Sequence, residues 1–152
     1  MISKKILSVI TSVMVFCCVV GVSLTNVKAD DSAPKSVDGS YLTSADSSTG
    51  YTPKNNERGK HLMDGQCSIS KTGTKRIYAY GSTTANHTVD TVAVIVYVDQ
   101  YNEKDDEWYQ IDAFSKKVEN DYYSATSKSI QVERGYYYRE HACLLYTSDA
   151  AD

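Results

Sequence analysis

From residue 59 to residue 142 apolar and polar residues alternate with a period of two, the repeat of a β-strand, and clusters of Gly, Asn and Asp cut the alternation into segments. Residues 66–71 set Cys67 and Ile69 against serines, and Lys71-Thr72-Gly73-Thr74 then supplies the tight turn of a hairpin. Residues 76–83 alternate Ile77, Ala79 and Gly81 against Tyr78 and Tyr80, which places the two tyrosines on one face. Residues 89–101 are apolar on both faces, with Val92, Val94, Val96 and Val98 on one side and Ala93, Ile95 and Tyr97 on the other. That is the pattern of a central strand covered on both sides. A charged loop over 99–107 reverses the chain into 108–118, where Trp108, Ile111 and Phe114 lead into the next strand. Residues 120–128 read as a polar turn, 129–133 alternate Ile130 and Val132, and Gly135 opens a last strand over 136–142. Six strands without a helix predict an all-β domain. The expected architecture is an antiparallel β-sandwich of the immunoglobulin or fibronectin kind, with a small closed barrel as the alternative.

The two ends do not follow this pattern. Lys4 and Lys5 precede a mostly apolar run over 6–24, and Val27-Lys28-Ala29 fits the site at which an export signal is cut. Residues 1–29 are therefore expected to be a signal peptide, with an uncleaved membrane anchor as the other reading; Phe16 before Cys17 is too large for a lipoprotein signal. Residues 30–58 are Ser, Thr, Asp, Gly, Lys and Asn with scattered apolar positions, a composition expected to form a flexible spacer. Residues 143–152, Cys-Leu-Leu-Tyr-Thr-Ser-Asp-Ala-Ala-Asp, back-translate to DNA that resembles a transposon-end sequencing adapter read in frame. On that reading the β-domain spans 59–142, is truncated at its C-terminus, and either exposes the ladder edge of its last strand or pairs it by accident with Leu144-Leu145-Tyr146 of a non-native tail.

Removing the ends changes the chemistry. Of four cysteines only Cys67 stays within the domain, so an exported protein of this kind has no internal disulfide and relies on its core and ladder. Cys67 is expected to be a small core residue rather than a reactive thiol. The formal net charge of the whole chain is −3, and the domain stays mildly acidic without a basic stripe. Nucleic acid is set aside as a partner on that ground.

At Ser68-Ile69-Ser70-Lys71-Thr72-Gly73, at Gly81-Ser82-Thr83-Thr84-Ala85 and at Val132-Glu133-Arg134-Gly135-Tyr136-Tyr137-Tyr138-Arg139 the chain resembles a family of small exported proteins of Gram-positive bacteria, a domain of unknown function. The resemblance covers roughly residues 50–142. It implies a secreted β-sandwich and carries over no activity, substrate or catalytic residue. Members of that family continue past the Tyr-Arg strand with a His- and Gly-containing segment and a further strand, where this chain departs into the adapter-like tail.

None of the polar clusters has the spacing of a reaction centre. Asp99, Asn102, Glu103, Asp105, Asp106 and Glu107 offer oxygens to a cation but lack the glycine and ligand alternation of an EF-hand, so a solvated hairpin tip is expected. Adjacent carboxylates on a loop also cannot flank a glycosidic bond. His61, His87 and His141 fall at no metal-ligand spacing and are expected to be unrelated surface histidines. The surplus is tyrosine, thirteen in all. The expectation is a non-enzymatic, secreted or wall-associated module without cofactor or metal. It is expected to bind cell-wall glycan or a protein through Tyr78, Tyr80, Trp108, Tyr136 and Tyr138, and to meet the membrane only through the signal segment before cleavage. The rivals are a bacteriocin-like toxin, which predicts growth inhibition of related strains, and a small hydrolase, which predicts a His and a carboxylate clustered in a pocket.

Overall fold

The structure, a computed structural model, describes residues 34–52 and 62–147. The expected signal segment, His61 and the last five residues lie outside that range. Seven strands follow in order: β1 Ser36–Val37, β2 Ser40–Tyr41, β3 Ser47–Tyr51, β4 Leu62–Gly73, β5 Arg76–Asn102, β6 Glu107–Gln131 and β7 Tyr138–Thr147. Every pairing is antiparallel, and no helix occurs among the described residues. The all-β expectation holds. β1 and β2 form a small ribbon of their own. β3 to β6 run side by side in a five-stranded sheet in which β7 also pairs with β5.

Two of the expected strand breaks do not occur. Residues 76–102 form one strand, and residues 107–131 form its partner, so a single ribbon replaces four short strands. The turn residues instead make a bulge. Register slips between Thr84↔Tyr123 and Val89↔Asp121, setting four unpaired residues of β5 against one of β6, while Asn120 takes a left-handed conformation (φ 53°). A bulge of this kind bends a ribbon and increases its twist. The bend is held from inside by two buried hydroxyls of one rung: Thr83 Oγ1 donates to the Ala93 carbonyl at 3.1 Å and Ser124 Oγ to the Lys116 carbonyl at 3.1 Å.

Past the bend the second half of β5 packs on the first. Ile77, Ala79 and Ile130 meet Val94, Val96 and Val98 in one apolar cluster, completed by Ile69, Phe114, Val132, Tyr138, Ala142 and Leu144. Val92, Val94, Val96 and Val98 are wholly buried, which at about 25 cal/mol per Å² makes this row the main apolar contribution to stability. Gly81 is needed at the contact, because a Cβ there would lie 2.5 Å from Val96 Cγ2 and 3.1 Å from Val94 Cγ2. The opposite side of β5 differs from the expectation of a strand covered twice. Ala93, Ile95 and Tyr97 are only half-buried, flanked by β6 and β7 side chains with no layer above them among the described residues.

The spacer expected over 30–58 also needs correction, since residues 34–52 within it hold β1, β2 and β3. β3 is exposed along its whole length and adds to the edge of β4 through main-chain pairing, for which its Ser, Thr and Tyr residues are suited. Few apolar residues are required for that. β1 and β2 dock on the far end of the sheet through polar anchors: Trp108 Nε1 donates to the Val37 carbonyl at 3.1 Å, and Arg139 reaches the Asp38 carbonyl at 3.0 Å. The final strand, expected over 136–142, begins at Tyr138 and runs on to Thr147, pairing Cys143 and Leu144 with Ile95 and Val94.

Candidate functional site

The five aromatic residues expected to form one binding face divide between two surfaces. Tyr78 and Tyr80 stand on the outer side of the first half of β5, away from the core, because Ile77 and Ala79 take the inner side. Register places their neighbours. Ser47, Ser70, Tyr78 and Ser129 make one rung, Thr49, Ser68, Tyr80 and Ser127 the next, and Tyr51, Gln66, Ser82 and Ala125 a third. Directly paired residues share a face, so these three rungs form a platform of hydroxyl and amide groups around the rings of Tyr78 and Tyr80, about 7 Å apart along the strand, with the exposed ring of Tyr51 at its edge. None of its side chains is charged, in a chain of which 23% is charged. Beyond the third rung Tyr123, paired with Thr84, bonds its hydroxyl to that of Tyr80 at 2.9 Å. That hydrogen bond is the main cause that raises the ionisation point of Tyr123.

Trp108, Tyr136 and Tyr138 border a groove of about 1040 Å³ that runs between residues 39–50, β4 and the stretch 132–140 and shares Ser47, Thr49, Ser68 and Ser70 with the first two rungs. They are not equally free. The Trp108 indole is committed twice, through Nε1 to Val37 and through its ring face, over which the Arg139 guanidinium lies 4.6 Å from the centroid. Tyr138 locks the preceding loop, its hydroxyl donating to the Glu133 carbonyl at 2.9 Å and accepting from the Glu133 amide at 3.1 Å. Burial pushes its ionisation upward. Tyr136 is nearly half exposed, on a loop turned by Gly135 in the left-handed region (φ 84°).

Two features of this groove were not singled out from sequence. Arg139 is the hub of its far end: Nε binds Asp99 Oδ2 at 2.8 Å, and the two terminal nitrogens reach Ser40 Oγ and Asp38 at 3.3 Å. Glu140 follows it on β7, paired with Val98 and so turned inward with Tyr138 and Ala142. Both of its carboxyl oxygens are buried without a hydrogen bond. Burial drives its pKa up to about 8, while the nearby backbone of Tyr80 and Ser68 favours the charged form without reaching hydrogen-bond geometry, so burial wins. The same carboxyl and its own burial raise the Cys67 thiol, which is an inert rather than an activated setting for that cysteine. The signal available in sequence was a carboxylic acid in the inward register of an otherwise apolar strand.

The acidic hairpin tip is partly tied down. Asp106 takes hydrogen bonds from Lys35 Nζ, at 2.6 Å, and from the buried Tyr101 hydroxyl, and the lysine holds its carboxyl below the usual range. His141 is not a free surface histidine. It stacks on Tyr97 with ring centres 4.9 Å apart, and its Nδ1 lies 3.4 Å from Asp99 Oδ2, the oxygen that already accepts from Arg139. His87 sits exposed in the bulge. Among the described residues no three His, Cys, Asp or Glu side chains gather as a metal would require. No family model, curated protein or solved structure matches the chain.

Proposed function

We propose that the protein is an exported, non-enzymatic β-sandwich module, its two layers drawn from one bent sheet, that binds a neutral glycan of the bacterial cell wall on the Tyr78–Tyr80 platform. The observation that carries this reading is the three uncharged rungs. Sugar rings present apolar faces that stack on tyrosine and rims of hydroxyls that exchange hydrogen bonds with serine and threonine. A charge-free face also avoids the desolvation penalty that lysine or glutamate would impose under a neutral polymer. The extended platform suits a chain of sugars more than a single ring. Export through the segment 1–29 would deliver the module to that polymer.

Retention of the purified domain on insoluble wall glycan and on a panel of neutral polysaccharides tests the reading. Tyr78→Ala and Tyr80→Ala are each expected to weaken retention about tenfold, equivalent to about 1.4 kcal/mol, while Tyr136→Ala leaves it unchanged. Absence of retention by every neutral glycan tried would refute it.

A further inference from the structure

Glu140 stands against the logic of the core around it. Its strand turns Tyr138, Ala142 and Leu144 inward against Val94, Val96 and Val98, and the carboxyl lies in that row with neither oxygen hydrogen-bonded. A buried polar group without a partner opposes folding, and such violations of the local pattern concentrate where a protein does something other than fold. Glu140 also lines the groove, together with Tyr138, Tyr136 and Cys67. No charged side chain acts on its ionisation, and Cys67 of β4 is the titratable group that feels its charge. Four cations border the groove: Lys71 pairs with Asp46 at 2.9 Å and Arg139 with Asp99 and Asp38, while Arg76 and Arg134 line it together with the carboxylates of Glu103 and Glu133.

We propose that the groove is a second binding site, distinct from the tyrosine platform, that takes a ligand bearing a primary ammonium group with Glu140 as its counter-ion. The carboxyl supplies a buried acceptor pair without a hydrogen bond at the groove wall, and reaching the ammonium requires its side chain to turn toward the groove. The rings of Tyr136 and Tyr138 offer faces for the methylene or sugar carbons that carry the amine and add cation–π attraction. Seating the ammonium requires the carboxylate form, so one proton leaves Glu140 as the ligand arrives. Affinity for an alkylammonium therefore climbs as pH rises toward 8 and falls again where a lysine-type amine loses its proton, above about 10; an amino sugar, whose neighbouring oxygens acidify the ammonium, loses affinity earlier.

Two probes share the chemistry and separate its sources: Nα-acetyl-lysine methylamide for a peptide amine and glucosamine for an amino sugar, each against its uncharged counterpart, acetyl-norleucine methylamide and N-acetylglucosamine. Titration of the full chain followed by backbone amide NMR is expected to give saturable shifts at Cys67, Tyr138 and Glu140 with at least one amine and none at these residues with the uncharged partners. Glu140→Gln, which removes no hydrogen bond and keeps the shape, is expected to weaken binding at least about tenfold at pH 7.5. Affinity of the intact protein for the lysine probe should rise tens of times between pH 6 and pH 8. Equal binding by Glu140→Gln, a flat pH response, or no saturable shift with either amine overturns the proposal. Tyr78→Ala binds the amine as the wild type does, so failure of the glycan reading and failure of this one are told apart.

Discussion

The inner rows of β5 and β7 face the same core and differ in one respect. Val92, Val94, Val96 and Val98 form an unbroken apolar row with no exposure at all, whereas β7 places Glu140 between Tyr138 and Ala142. The first row specifies that the chain folds; the second yields some stability in order to put a carboxyl beside a groove. A core strand that tolerates an unpaired acid is the mark that separates a site from scaffold, and the two rows respond differently to mutation and to pH.

The largest effect is expected on the valine side. Val96→Ala removes two methyl groups from a site with no solvent contact and should lower unfolding free energy by about 2–3 kcal/mol in denaturant titration. Loss of less than half that amount would show the row to be less tightly packed than it is drawn here. Gly81→Ala probes the same contact from the facing half of β5 by adding a methyl 2.5 Å from Val96 Cγ2. It is expected to destabilise by about 1–3 kcal/mol, and combination with Val96→Ala should recover part of the loss, since each relieves the other's packing fault.

Glu140 should behave in the opposite sense. Its folded-state pKa, about 8, lies above the ordinary 4.5, so the folded state favours the protonated acid. That contribution is whole below pH 4.5 and is lost as pH climbs through 8. Glu140→Gln is expected to flatten this slope and to exceed the wild type in stability at pH 9 by about 1 kcal/mol, while the two match at pH 4. Parallel pH profiles would place the carboxyl in water. The smallest effect belongs to the exposed ion pair Lys71–Asp46 at the groove rim: Lys71→Ala should change stability by no more than about 0.5 kcal/mol.

The difference between the two rows also explains what could be read from the chain alone. Period-two alternation over residues 89–101 and the hairpin turn now seen at Thr74 and Lys75 were legible because each is a local pattern. The ribbon was not. Asn120 and Asp121 are turn residues in any local reading, and only their partners on β5 convert that turn into a bulge that bends a continuous strand. The split of the tyrosines was half legible, since alternation sets Tyr78 and Tyr80 on one face, but which side faces out depends on the valines that fold over Ile77 and Ala79. Trp108 looked available because sequence does not show the guanidinium of Arg139 laid across it. The strands of residues 34–52 were hidden for a related reason: their composition cannot build a core, and they are held by the ladder of β4 and by side chains about seventy to a hundred positions away.

The hydroxyl staples of Thr83 and Ser124 give the bent ribbon a kinetic consequence. Because one pair of strands furnishes both layers, neither layer can mature as a separate hairpin; the valines have nothing to close upon until residues some fifteen positions earlier have swung back across the corner. The same cluster joins Ile77 to Ile130, more than fifty positions on, and pairings of that separation slow folding; the nascent chain must reach its C-terminal half before this interior is complete.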